Sequence, residues 1–267
     1  MSNSVSRNEA LGPVARRRVK IATGVVLLLA IGLAWWVTAK LHQKGILEFR
    51  RWSVFLEPDV LKFLMVGLWG TIKAAGFSAA SSLSVGMLVA LMRLSRNRPV
   101  AFIGYWYVNL LRSVPTLLWI MFCFFALPSL GVNISSLWAL VLGITLYNST
   151  VFAEIFRAGV LSLASGQGEA ALALGMSRRQ LMRFVLLPQA VRVMMPSILT
   201  QLVVLLKDTS LGYVIGYEEL LRRGQQLGEY AGNLIQAYTA IAAFFIIVGV
   251  AMTKLAQSLS SKRTLNA

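Results

Sequence analysis

The sequence predicts an all-α membrane protein with six transmembrane helices, and three observations carry that expectation. Of its 267 residues 57% are hydrophobic and only 13% charged, too little charge to coat a soluble domain of this size. Uncharged runs long enough to cross ~30 Å of hydrocarbon, about 20 residues each, recur along the chain. These runs also sort the net charge of +16: the connections on the side of the termini carry a net +14, and those on the other side carry none. A nucleic-acid protein would gather such charge on one soluble face. Here it follows the membrane, so no nucleic-acid partner is expected.

Residues 21–39 form the first span, with Trp35 and Trp36 near its outer end as interface anchors. Arg16, Arg17, Arg18 and Lys20 precede it, as in a signal peptide, but nineteen uncharged residues exceed the usual cleaved core. The second span covers 61–92. Its small residues Gly70, Gly76, Ser81, Ser82, Ser84 and Gly86 let neighbouring helices approach, which places it inside a bundle rather than against lipid. No charge occurs from Ser113 to Ala153, room for a third and a fourth span with a turn at Pro128, Gly131, Asn133, Ser135 and Ser136. The fifth runs over 193–216 and the sixth over 234–255. Six spans put both termini on one side, and the excess of Lys and Arg there makes that side cytoplasmic. The basic excess needs no partner beyond anionic lipid.

Several chemistries are excluded. Cys123 is the single cysteine, so no internal disulfide forms, and His42, the one histidine, lies in an outside loop where it builds neither metal site nor triad. No catalytic residue, metal or cofactor is expected. The chain has no Gly-x-x-x-x-Gly-Lys-Ser/Thr loop for ATP phosphates.

Charges inside spans are functional candidates by default. Lys207 and Asp208 follow Arg192 after fourteen uncharged residues, a reach of ~21 Å that falls short of the far interface. The pair therefore sits within the fifth span or breaks it. Three roles stay open: bracing the bundle through Glu154, Thr209 or Ser210, touching substrate, or gating. Glu154 and Arg157, three apart, share a helical face and pair near the cytoplasmic end. Lys73 lines the bundle or snorkels.

The most specific stretch is the polar island between the fourth and fifth spans. Glu169, Ala170 and Ala171 are expected to open a short helix with the acid in its first turn, and Gly175 to stop it. Ser177 with Gln180 reads as a capping box for a second helix, striped by Leu181, Phe184 and Val185 and ended by Pro188. The spacing Glu169-Ala170-Ala171, Gly175, Val185, Leu187-Pro188 resembles the cytoplasmic coupling loop of ABC-importer permeases, with Val185 in place of isoleucine.

The resemblance extends over 63–256 to the polar amino acid branch of those permeases. It is carried by Gly67-Leu68-Trp69-Gly70-Thr71, Arg112-Ser113-Val114-Pro115, Ala153-Glu154-Ile155-Phe156-Arg157-Ala158-Gly159 and Leu206-Lys207-Asp208-Thr209-Ser210-Leu211. The early span and Leu211-Gly212-Tyr213-Val214-Ile215-Gly216-Tyr217 most resemble glutamate-importer permeases of actinobacteria.

The resemblance implies a type I ABC-importer permease core of five helices over 61–256, with a coupling loop at 160–190. A cytoplasmic tail, an accessory helix and an outside loop occupy 1–60, and a tail occupies 257–267. It also implies a bacterial cell-membrane location and, as partners, two ABC ATPase subunits, a second permease, identical or homologous, and an extracytoplasmic solute-binding protein. Gly166, Gln167, Glu169, Ala170, Ala171, Leu174, Gly175, Leu187 and Pro188 would couple to the ATPase. Ala170, Ala171 and Leu174 would enter its groove, and Arg178, Arg179 and Arg183 would meet acids around it. Glu154, Arg157, Lys207, Asp208, Thr209 and Ser210 would line the path or gate. Within the spans Lys62, Lys73, Arg112 and Lys207 outnumber Glu154 and Asp208, which favours glutamate or aspartate as substrate, with glutamine or another polar amino acid the alternative. An ion-driven secondary transporter is the rival; it would want intramembrane acids, and the only two here each lie beside a base. A membrane scaffold that transports nothing is a more distant rival.

Overall fold

The computed structural model describes residues 13–163 and 165–264, with side chains described from 17 to 254 except at 164, 165, 167 and 168. The side chains of Arg16 and Gln167 lie outside that description. Among the described residues the chain is helical throughout, and it divides into two compact units, Met1–Leu56 and Glu57–Ala267.

In the first unit α1 (Pro13–Gln43) contains the first expected span, and a short α2 (Phe49–Ser53) follows. Trp52 Nε1 donates to the Ile46 carbonyl at 3.2 Å and folds the loop between them. Hydrophobic side chains along α1, Trp35 and Trp36 among them, are exposed, as suits a helix apolar on every side and bathed in lipid.

The second unit is a bundle built around α6 (Ser136–Leu161), its most buried long helix. α3 (Pro58–Arg93) packs most extensively on α6, joined there by α4 (Arg98–Arg112), α5 (Thr116–Ser129) and α9 (Leu187–Asp208). Close approach of α3 and α6 requires Gly86, where a Cβ would stand 2.7 Å from Phe152 Cβ and 2.9 Å from the Ser149 carbonyl oxygen. Burial of α3 is one-sided. Gly70, Ser82 and Gly86 are buried and Ser81 is half-buried, but Gly76, Ser84 and Lys73 are exposed, so the small residues do not all turn inward.

Two spans differ from expectation. α4 was not foreseen, and the third span is not one straight helix. α5 has 14 residues, about 21 Å of rise and too short to cross alone, and it meets α4 at a bend of 93°. Pro115 explains the bend, because it lacks an N–H and bars its predecessor Val114 from helical geometry. Pro188, by contrast, does not end the second helix of the polar island. α8 (Arg178–Gln180) runs through a π-helical segment (Leu181–Leu186) straight into α9, with Pro188 in the first turn of α9. A proline needs relief from the carbonyl four residues back, and the wider π turn supplies it.

α9 gives way at Asp208 to a 3₁₀ segment (Thr209–Ile215), and α10 (Leu220–Tyr230) then leads to α11 (Leu234–Thr264). α11 is helical beyond 256, where a tail was expected. The corner before α10 is pinned to α3: Tyr217 Oη donates to the Gly70 carbonyl at 2.9 Å, and the Leu220 N–H donates to Thr71 Oγ1 at 3.1 Å. Glu219 caps α10, accepting from the N–H groups of Leu221 and Arg222 at 2.8 and 2.7 Å. Its side chain has no solvent exposure. Burial pushes this carboxyl up to about 7, the charge of Glu218 adds to the rise, and the two backbone bonds oppose it. At the same corner Arg223 pairs with Glu218 at 3.2 Å and lies over the Phe63 ring, 4.6 Å from its centre.

The Glu219 carboxyl has a stability consequence with a definite sign. The unfolded chain ionises it above 4.5 and the folded chain only above about 7. The held proton therefore favours the fold at low pH, and that benefit is lost as pH rises between those values. Over the window it amounts to about 3 kcal/mol as an order of magnitude. Glu219→Gln removes this dependence. In thermal unfolding of the detergent-solubilised chain, the variant should gain stability relative to wild type on going from pH 5 to pH 8. Parallel curves at both pH values would refute this account of the corner.

Candidate functional site

Two regions bring the sequence-flagged residues together. The first is the island between α6 and α9. α7 (Ser165–Ala173) starts four residues before Glu169, so the acid lies in the second turn rather than the first and gains little from the helix dipole. The helix ends as expected. Gly175 takes a left-handed φ of +80°, and the N–H groups of Gly175 and Met176 return to the carbonyls of Leu172 and Ala171 at 3.0 and 3.2 Å. That double bond pattern satisfies the last carbonyls of α7. A Cβ at Gly175 would meet nothing within 4 Å, so what demands glycine is the backbone angle and not crowding.

Ser177 and Gln180 form the capping box in both directions, at 2.8 and 3.3 Å. The expected apolar faces need correction. Ala171 is buried, turned into the protein's own packing between α7 and the π segment, while Leu174 is 85% exposed and Ala170 exposed. In the second helix Leu181 is buried and Val185 half-buried, but Phe184 points outward beside Arg183. The island therefore presents Glu169, Ala170, Leu174, Arg178, Arg179 and Phe184, with Gly166 and Pro188 also exposed and Leu187 half-buried. The island thus exposes the apolar side chains Leu174 and Phe184 together with charges of both signs.

The second region is a polar seam through the bundle. Asn148 of α6 is fully buried. Its amide nitrogen donates to Asp208 at 3.3 Å, and its oxygen accepts from Gln201 at 2.7 Å. Nearby, Tyr107 of α4 shares a 2.9 Å bond with Ser149, and Ser81 of α3 one of 2.6 Å with Thr145. The expected braces of the Lys207 and Asp208 pair are absent: Thr209 and Ser210 return their hydroxyls to the carbonyls of Leu206 and Lys207. Asp208 is held by Asn148 instead. Lys207 is exposed and lies along α11, where a Cβ on Gly249 would stand 3.6 Å from its Cε. No ion pair among the described residues includes it.

Glu154 and Arg157 do pair, at 3.1 Å, and Glu154 also accepts from Arg93 at the end of α3. Asn148, Gln201 and Arg93 were not singled out from sequence. A signal for Asn148 existed in the polar run Asn148-Ser149-Thr150 inside an uncharged span; Arg93 had none beyond its place at the end of a helix.

Comparison with known proteins agrees with this architecture. Residues 82–266 match the family described as binding-protein-dependent transport system inner membrane component. The glutamate transport system permease protein GluD of Corynebacterium glutamicum is 37% identical over 220 residues, 81% of each chain. The arginine transport system permease protein ArtQ of Bacillus subtilis is 31% identical over 76% of this chain and 93% of its own. Among solved structures, one described as an amino acid ABC transporter with histidines superposes with a TM-score of 0.71 at 27% identity, covering 76% of this chain and 95% of that one. Matched over most of its bundle and at this identity, the chain belongs to the binding-protein-dependent transport inner membrane components, the permease subunits of ABC importers, in the branch that contains the amino acid permeases.

Proposed function

We propose that this chain is the membrane-spanning permease of an ATP-driven importer of a polar amino acid, with glutamate or aspartate preferred over glutamine. The observation that carries this reading is the exposed two-helix island between α6 and α9, which presents Leu174 together with Glu169, Arg178 and Arg179. Glu169, Ala170, Leu174 and Gly175 make the docking element, Ala171 and Leu187 support it from within, and Pro188 opens α9 beside it. Two separate ATPase subunits supply hydrolysis, since the chain has no phosphate loop of its own. A solute-binding protein delivers the amino acid on the opposite face.

A second permease, identical or related, completes the path. Lys207 supports this, because a charge exposed within a span is costly against lipid and is accommodated by a partner subunit or an aqueous path. The path is biased positive by one charge, three bases (Arg93, Arg157 and Lys207) against two acids (Glu154 and Asp208). Such a bias lowers the cost of an anionic side chain and raises that of a cationic one. Counting the bent α4 and α5 as one crossing makes six, so both termini and the island share the cytoplasmic, basic side.

Three experiments test this reading. Valine at Gly175 would be forced to φ near +80°, costing roughly 1–2 kcal/mol at the helix stop. Gly175→Val and Glu169→Lys should therefore leave an inserted protein with weakened ATPase binding and little uptake, and wild-type transport by both would remove the coupling assignment. A topology reporter fused after Lys44 should read outside and one after Gly168 inside; the reverse pattern would overturn the charge argument. In proteoliposomes the wild-type complex should prefer labelled glutamate over glutamine and exclude arginine, and Lys207→Met should depress glutamate uptake most. Preferred arginine uptake would defeat the electrostatic argument, and full glutamate uptake by the variant would take Lys207 out of the path.

A further inference from the structure

The helical run that joins the island to α9 holds one residue more than an α-helix would. Ala190, Met194 and Ile198 mark the buried face of α9 at intervals of four. Arg183 precedes Ala190 by seven residues, about two turns, so an uninterrupted α-helix would lay it on that same face. Leu181 precedes Ala190 by nine residues, about two and a half turns, and would lie on the opposite side, away from the bundle. The structure shows the reverse. Leu181 is buried, whereas Arg183 is exposed and lies over the outward ring of Phe184, 5.6 Å from its centre.

The π segment makes the difference. The Leu187 N–H donates to the Met182 carbonyl, five residues back instead of four. One residue is thereby absorbed within a turn, and the chain before it is rotated by about 100° relative to α9. Two causes hold this slip. Pro188 has no N–H for the Phe184 carbonyl four residues back, and its ring clashes with that carbonyl in an α-helix. Burying Leu181 and leaving Arg183 in water favours the same rotation. A proline alone does not impose it: Pro196 stands inside α9 with no π turn, and there Met194 and Ile198 on either side are already in register.

Resting on the importer reading, we propose that Pro188 is a positioning residue for coupling: by holding the π segment open it fixes the rotation of the island's second helix on α9. Arg178, Arg179, Arg183 and Phe184 then face the ATPase while Leu181 anchors the helix. Alanine at 188 restores the N–H, and the segment closes to the commoner and tighter α-helix. The second helix turns with it, its basic face leaves the ATPase, and hydrolysis no longer drives uptake. Deletion of Val185 takes out the surplus residue. Combined with Pro188→Ala, that deletion gives an unbroken α-helix in which Leu181, Arg183 and Phe184 keep their native directions.

Two readouts test this. In the detergent-solubilised full chain carrying Cys123→Ser, an aqueous maleimide should label Arg183→Cys and spare Leu181→Cys. Adding Pro188→Ala should expose Leu181→Cys and protect Arg183→Cys. In proteoliposomes with the full complex and its binding protein, Pro188→Ala should raise the ATP hydrolysed per glutamate imported by about fivefold or more. The double variant with Val185 deleted should return to within about twofold of wild type, as should Pro196→Ala alone. Unchanged labelling or an unchanged ratio in Pro188→Ala overturns the proposal. So does a deletion that fails to restore coupling, because the proline would then act locally and not through rotation. A matching rise in Pro196→Ala, or a Pro188→Ala complex that no longer assembles, overturns it as well. Absence of any ATP-driven uptake by the wild-type complex is a separate result and rejects the importer reading itself.

Discussion

Hydrocarbon offers no hydrogen-bond partners, and the rest of this fold depends on that constraint. Every polar group within the spans has to find its partner inside the protein or face a water path. α6 answers it for the bundle. Asn148, the seam's centre, takes bonds from α9 on both sides of its amide, and Thr145 and Ser149 engage α3 and α4. These bonds fix which faces of the helices meet, something apolar packing in lipid leaves weakly specified, since lipid tails are as apolar as leucine.

The same constraint separates the two kinds of charge in the spans. Glu154 has each of its oxygens paired with an arginine. Lys207 lies one helical position from Asp208 but on another face, exposed beside α11. Adjacent residues on a helix diverge by about 100°, so one of the pair braces the bundle and the other looks outward. The change from α to 3₁₀ geometry directly after Asp208 sets this divergence at a natural break in the span.

The island is continuous with the span that follows it. The π segment carries the helix through Pro188 into α9, so Arg178 and that span lie on one unbroken helical run.

By itself the sequence determined the features set by local chemistry and by the solvent. Span lengths and composition follow from the thickness of hydrocarbon, the Ser177 and Gln180 box from reach between neighbouring residues, and the Gly175 stop from a backbone angle that other residues resist. Only the tertiary structure decided the rest. The bend at Pro115 and the passage through Pro188 are opposite outcomes for the same residue type, chosen by whether the chain before it could widen its turn. Ala171 was legible as apolar and helical, yet its burial depends on a neighbour that folds back onto it. Arg93 and Glu154 are 61 residues apart, and no periodicity joins them. Their pairing exists because Gly86 lets α3 and α6 close to contact, and partners brought together across a bundle are set by packing that local pattern does not encode.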